Sequence, residues 1–146
     1  GVGMKKTIIF DLDGTLADVS HRRYLVRGYK KEWEKFYKMC IYDPPNLRLI
    51  ELLRALKKKY KIVIFSGRGE EARKETEDWL LKHNVLFDEL KMRPTKDYTP
   101  DDELKEKWAK KMSGDEILCI FDDRNKVVKK WRELGFLCLQ VAEGDF

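Results

Sequence analysis

Five short apolar runs alternate with longer stretches in which apolar residues recur every three or four positions. The runs cover Thr7–Asp11, 61–66, a weaker segment at 86–90, Ile117–Asp122 and 137–141. KIVIFSG and ILCIFD are nearly continuous in apolar residues, the pattern of strands covered on both faces of a parallel sheet. Helical spacing appears between them. In 47–60, Leu49, Leu52, Leu53 and Leu56 share a face, and Lys57, Lys58 and Lys59 favour the C-terminal end. In 70–83 the stripe is Ala72, Thr76, Trp79 and Leu80, with Glu70 and Glu71 in the first turn. In 102–112 it is Leu104, Trp108 and Met112. In 125–134 it is Val127, Val128, Trp131 and Leu134, with Gly135 as a stop. Alternating strand and helix predict an α/β fold with a doubly wound parallel sheet.

The stretch 18–46 breaks the alternation. Tyr29, Trp33, Phe36, Tyr37 and Cys40 recur there at helical spacing, and Asp43-Pro44-Pro45-Asn46 closes it. It reads as a small helical cap inserted over the C-terminal end of the first strand, where such sheets bind ligands, and so as a partial lid. With no repeat, linker or low-complexity segment, 4–146 reads as a single domain. Gly1-Val2-Gly3 before Met4 reads as an expression scar.

Composition narrows the class without naming it. The chain has 146 residues, 42% of them hydrophobic, enough for a packed core. Its net charge of +5 sits on a surface where 39% of residues are charged. An anionic partner is compatible with that balance, and so is an ordinary solvated surface. Cys40, Cys119 and Cys138 are odd in number and far apart, against a disulfide framework or a zinc site. Cys119 and Cys138 lie in apolar runs and read as core. No run approaches the ~20 apolar residues of a membrane span, and no signal peptide is visible, so a cytoplasmic protein without a membrane partner is expected.

The chemistry lies at the strand ends. IIFDLDGTL places two carboxylates one residue apart after a buried run. The first strand ends in Asp11-Leu12-Asp13, the second in Ser66-Gly67-Arg68 and the fourth in Asp122-Asp123-Arg124. A parallel sheet brings these ends to one edge. Four carboxylates, a hydroxyl and two guanidiniums then meet in one crevice. Oxygen ligands without His or Cys suit Mg²⁺, which answers the repulsion among the acids. The same cluster suits phosphoryl transfer. One carboxylate attacks phosphorus, and the other protonates the leaving oxygen and later deprotonates water. Close placement of like charges would push the two pKa values apart.

D-x-D-G-T with a distant Ser, a Lys and a late Asp pair resembles the haloacid dehalogenase superfamily of phosphotransferases. The resemblance implies Asp11 as nucleophile and Asp13 as acid/base. It makes Asp11, Asp122 and the main-chain carbonyl of Asp13 metal ligands, with Asp123 as the neighbour in the acidic pair. Ser66 matches the phosphate-binding hydroxyl, with Thr15 and Gly67 in the same substrate-binding motifs. More specifically, IIFDLDGTL, IVIFSGR, MRPTKDYTPDDELKEKW and FDDRNKVVKKWRELGFLCLQVAEGDF resemble the 3′-phosphatase domain of phage polynucleotide kinase. That likeness implies Lys105 as a phosphate-contacting catalytic residue and Arg68, Arg93 and Arg124 as substrate-binding arginines. It also implies 3′-phosphorylated ends of DNA or RNA, or nucleoside 3′-phosphates, as substrates.

The polynucleotide kinases carry a G-x-x-x-x-G-K-S/T loop that this chain does not contain. A kinase domain in the full-length protein is therefore expected if this is one domain of it; a stand-alone phosphatase is the other reading. A homodimer is compatible with either.

Two alternatives remain at this point. One is a small-molecule phosphatase of the same fold, acting on 5′-nucleotides or sugar phosphates. The other is a receiver-type phospho-acceptor, against which the Asp-Gly-Thr after Leu12 speaks, since a receiver lacks that second acid. His21 follows the DxD loop and could touch substrate; His83 reads as a helix-end residue. Trp33, Phe36 and Tyr37 read as packing. Arg22, Arg23, Arg27, Lys30 and Lys31 form a basic run that could hold a nucleic-acid backbone, although a solvated face is the commoner meaning of such a run.

Overall fold

The computed structural model describes residues 5–112 and 114–146; the Gly1-Val2-Gly3 segment lies outside them. The elements are β1 (Thr7–Asp11), α1 (Trp33–Lys38), α2 (Leu47–Lys57), β2 (Lys61–Gly69), α3 (Arg73–Lys82), β3 (Glu89–Arg93), α4 (Asp101–Lys111), β4 (Ile117–Asp122), α5 (Asn125–Glu133) and β5 (Cys138–Gln140), with 3-10 turns at Ser20–Val26, Met39–Tyr42 and Glu70–Ala72. All strand pairs are parallel, in the order β3-β2-β1-β4-β5.

Alternate residues of the central strands feed two cores. Ile8, Phe10, Ile62 and Ile64 pack with Leu53 of α2 and Trp79 and Leu80 of α3. Ile9, Val63, Phe65 and Ile120 pack with Leu104 and Trp108 of α4 and Val127 and Trp131 of α5. Covering both faces is what makes the strands read as continuous apolar runs. The winding reverses between β1 and β4, which opens a crevice at their C-terminal ends. Among the described residues, no helix is long and apolar enough to cross a membrane.

Several boundaries differ from the expected ones. The second strand runs past Ser66 to Gly69, because after a register shift Gly69 pairs with Arg93. The third strand is Glu89–Arg93, displaced from 86–90; as an edge strand it buries only Leu90 and Met92, so its signal alternates and is weak. The second helix stops at Lys57, where the amides of Lys59 and Tyr60 both turn back to the Leu56 carbonyl. The third begins at Arg73, after the turn Glu70–Ala72.

The insert is less helical than its spacing suggests. Only Trp33–Lys38 is α-helix, and Tyr29, expected on the packed face, is fully exposed. Phe36, Leu25 and Cys40 are buried, and Trp33 meets Phe36 edge-on. Cys119 and Cys138 are core residues, as expected. Both ends of the insert are tied to the β1 loop. The Asp18 amide donates to the Pro44 carbonyl at 2.8 Å, and the Asn46 amide to the Leu16 carbonyl at 2.8 Å. The Asn46 side chain also caps α2 and donates to the Thr15 carbonyl at 3.0 Å.

Candidate active site

A tight loop follows β1. The buried Leu12 offers its carbonyl to the amides of Thr15, Leu16 and Ala17 at 3.2, 2.9 and 3.0 Å. Gly14 has φ +85°, and the Asp123 carboxylate fills the place where a Cβ would stand. Glycine there serves both the left-handed turn and the close approach of an acid from another strand. Thr15 Oγ1 donates to Asp11 Oδ2 at 3.2 Å and to Asp123 Oδ1 at 3.4 Å. Thr15, expected to touch substrate, thus bonds the acidic cluster itself.

Asp122 at the end of β4 is fully engaged. Its Oδ1 accepts the amides of Asp123 at 2.8 Å and Arg124 at 3.3 Å; its Oδ2 accepts Lys105 Nζ at 3.2 Å and Trp131 Nε1 at 3.4 Å. Lys105, from α4, also reaches Asp11 Oδ1 at 2.7 Å and Asp101 Oδ2 at 3.7 Å. One oxygen from each of Asp11, Asp122 and Asp123 lies within 4.8 Å of the others, and all three residues are buried. Burial pushes the Asp11 carboxyl up, Asp122 adds to the push, and Lys105 only partly opposes it. Asp123 is raised as well, first by burial. Burial would lower Lys105, but Asp11, Asp122 and Asp101 outweigh it and hold the ammonium above its ordinary range.

Three buried carboxylates around one ammonium leave negative charge uncompensated. Their donors are all oxygens, and among the described residues the Asp13 carbonyl accepts no main-chain hydrogen bond. The residues fit a hard divalent cation such as Mg²⁺. Asp123 joins the expected Asp11 and Asp122 in this group, whereas the carboxylate of the expected Asp13 lies outside it.

Asp13 faces a second, cationic cluster. Arg68 Nε donates to its Oδ1 at 2.8 Å, and Arg22 Nη2 lies 3.4 Å from the same oxygen. Arg22 also clamps Asp43 through Nε and Nη2, each at 2.8 Å, and donates to the Phe36 carbonyl at 2.9 Å. Arg68 reaches Asp43 Oδ2 and Thr76 Oγ1, both at 3.0 Å. His21 Nε2 lies 2.6 Å from Asp43 Oδ1, and Trp79 Nε1 donates to the Asp43 carbonyl at 2.9 Å. Burial pushes the Asp13 carboxyl up, yet Arg68 and Arg22 outweigh it and hold the group below the usual carboxylate range.

This arrangement bears on three expectations. The pKa values of Asp11 and Asp13 are split, but by different neighbours and in the opposite sense: Asp11 sits among acids and Asp13 among arginines. The guanidinium of Arg68, expected to bind substrate, bonds Asp13, Asp43 and Thr76. His21 likewise turns to Asp43.

The other expected binding residues vary. Ser66 is buried and its Oγ accepts the Arg68 amide at 3.1 Å. Gly67 lies so close to the Asp101 carboxylate that a Cβ would overlap it. Arg93 bonds the carbonyls of Gly67, Asp97 and Thr99 at 2.9, 3.1 and 2.5 Å, so it mainly ties the loop before α4. Arg93 and Arg124 meet at Asp101, at 3.3 and 3.8 Å.

Arg22, Asp43 and Asp101 were not singled out from the sequence. Arg22 was hidden in the basic run, since a 3-10 turn gives no 3.6-residue periodicity. Asp43 resembled an ordinary acid before Pro-Pro. Asp101 carried a usable signal: it stands four residues before Lys105, one helical turn away.

Residues 5–146 match the polynucleotide kinase PNKP phosphatase domain within the haloacid dehalogenase superfamily. The chain belongs to that family. It is therefore a phosphatase domain of the haloacid dehalogenase type, which decides against the receiver reading. A chain of the Pnkp1/Rnl/Hen1 RNA repair complex is 33% identical, with a TM-score of 0.85 over 100% of this chain and 45% of that one. A putative bifunctional polynucleotide kinase/RNA ligase of Autographa californica nuclear polyhedrosis virus is 28% identical over 88% of this chain and 18% of its own length. This chain thus spans less than half of either relative. A haloacid dehalogenase-like hydrolase from Streptococcus pneumoniae is 17% identical, with a TM-score of 0.67 over 93% of this chain and 84% of that one; it shares the fold.

Proposed function

We propose that this domain is a Mg²⁺-dependent phosphomonoesterase that removes 3′-phosphates from polynucleotide ends through an aspartyl-phosphate on Asp11. The observation that carries the reading is the convergence of Asp11, Asp122, Asp123 and Lys105 where the sheet winding reverses. A metal held by Asp11, Asp122, Asp123 and the Asp13 carbonyl would neutralise charge shared between carboxylates and phosphate.

An Asp11 carboxylate oxygen attacks phosphorus, and the bond from phosphorus to the 3′-oxygen breaks. The leaving oxygen takes a proton from Asp13. Water then attacks the acyl-phosphate, gives its proton to Asp13, and inorganic phosphate leaves Asp11. Lys105 orients Asp11 and offsets charge on the transferring group. All the arginine contacts to Asp13 fall on Oδ1, and no described side chain bonds Oδ2. Oδ2 is the oxygen suited to carry the proton. Asp13 is ionised before substrate arrives; a dianionic phosphate beside it raises its proton affinity.

The choice of a 3′ end follows the family likeness, and the partly exposed Arg124 suits a neighbouring phosphate of a chain end, while Arg93 holds the loop before α4. Relatives that are longer than this chain support a kinase domain elsewhere in the full-length protein. The test compares kcat/KM on matched oligonucleotides phosphorylated at the 3′ or the 5′ end, with a nucleoside 3′-monophosphate and sugar phosphates as controls. Faster turnover of the 3′ ends is expected. Faster turnover of 5′ ends or sugar phosphates would move the assignment to a small-molecule phosphatase.

A further inference from the structure

Phe146 joins neither apolar core, yet two arginines hold it in place. The Arg23 guanidinium stands 4.5 Å from its ring centre and that of Arg124 5.3 Å. Arg124 Nε also donates to the Phe146 carbonyl at 2.7 Å. The two arginines come from different parts of the chain, Arg23 from the turn Ser20–Val26 and Arg124 from the residue before α5. Arg23 follows Arg22, which reaches Asp13 from the insert; Arg124 follows Asp123, which packs on Gly14 at the end of β4. The chain before Phe146 is pinned as well. Asn125 donates its amide to the Gly144 carbonyl at 2.8 Å, and Gly144 packs so closely on the Asp123 carbonyl that a Cβ would overlap it.

Phe146 nevertheless keeps 53% of its surface open. An aromatic ring half open and fixed by two guanidiniums, whose chain neighbours Arg22 and Asp123 reach Asp13 and Gly14, has the chemistry of a stacking platform beside the acidic site. We propose that Phe146, with Arg23 and Arg124 fixing its ring, is a stacking subsite for the nucleobase nearest the scissile phosphate. The inference rests on the polynucleotide reading above and adds what selects a nucleotide over a smaller phosphate ester. Stacking of one base on such a ring corresponds to about 5- to 150-fold in binding.

The test uses two 3′-phosphorylated oligonucleotides, one ending in an ordinary nucleotide and one in a stable abasic sugar. The unmodified protein should prefer the base-bearing end by about tenfold or more in kcat/KM, through KM. Phe146→Ala should abolish that preference, and Phe146→Trp should keep it. Phe146→Leu, which retains apolar bulk without the π-face, should behave like the alanine variant and covers the case in which alanine disturbs the C-terminal segment. A preference that survives Phe146→Ala and Phe146→Leu overturns the subsite alone. So does an equal loss on both oligonucleotides, which would make Phe146 a latch between insert and core. Hydrolysis of sugar phosphates but of neither oligonucleotide overturns the subsite and the polynucleotide reading together.

Discussion

The ammonium of Lys105 stands 2.7 Å from Oδ1 of Asp11, although the two residues are 94 positions apart in sequence. It is the only ammonium among three buried carboxylates of the described residues. Its removal should therefore destabilise the metal-free protein as well as stop turnover. For Lys105→Met we expect a loss of about 3–5 kcal/mol, the usual consequence of leaving a buried charge without its partner. Added Mg²⁺ should restore part of the lost Tm. Thermal melts with and without the ion check this; melting unchanged in both would show that the ammonium does not compensate the cluster.

Asp11→Asn should abolish turnover, because an amide is not a competent nucleophile here. It also deletes one of the crowded negative charges, so the metal-free variant should melt higher than the unmodified protein. Acid quenching with labelled substrate should trap phosphate on the unmodified protein and none on the variant. Label retained by Asp11→Asn, without deamidation back to Asp, would move the nucleophile elsewhere.

The parts of the site that were legible in the sequence are those with local signatures. Asp11 and Asp13 follow an apolar run, and Asp122 and Asp123 end another, so sheet topology alone brings them to one edge. Of the cationic half only Arg68, at the end of the second strand, was legible. Arg22 and Asp43 meet Arg68 only because the insert folds back with both ends bonded to the β1 loop. No periodicity reports such long-range pairing. The edge strand β3 was misplaced for a related reason: one covered side gives only Leu90 and Met92 as inward residues.

Arg68 acts on the chemistry through Asp13. Arg68→Lys keeps the charge but loses the fork that reaches Asp13, Asp43 and Thr76 together. Its kcat should fall at least tenfold on alkyl phosphates, with a smaller defect on aryl phosphates, whose leaving oxygen needs less help from a proton. The Asp13 carboxyl should titrate at higher pH in the variant, because the charge stays but the hydrogen bond from the Arg68 guanidinium, which also holds the carboxyl down, is lost. Carboxyl NMR reads that shift. An equal kcat defect on both substrate types would point to a general loss of structure.

The thiols give a prediction at alkaline pH. All three cysteines are buried, burial raises each thiol, and Cys138, with Asp122 adding to burial, is pushed up to about 12. In the unfolded chain a thiol ionises near 8.5. A raised folded value means that stability is fully present below about 8.5 and declines as pH rises toward about 12. Cys138→Ala should reduce the loss of stability between pH 8.5 and 10, and native thiols should resist alkylation until the protein unfolds. Rapid alkylation of the native protein at pH 9 would contradict the burial of these groups.

The oxygen-only donor set sets the last expectation. Excess chelator should stop phosphate release, and Mg²⁺ should restore it, since three buried carboxylates and a dianionic phosphate cannot share the crevice with Lys105 as the sole adjacent ammonium of the described residues. Asp122→Asn should raise the Mg²⁺ concentration needed for half-maximal activity more than Lys105→Ala does. The first removes a ligand charge, and the second removes a competitor for the same oxygens. Lys105→Ala should bind Mg²⁺ at least as tightly as the unmodified protein while turning over poorly, a separation that calorimetric titration of the ion against kcat reveals. Full activity in chelator would remove the metal from the mechanism. Weaker Mg²⁺ binding by Lys105→Ala would show that the ammonium organises the carboxylates for the ion and does not merely offset their charge.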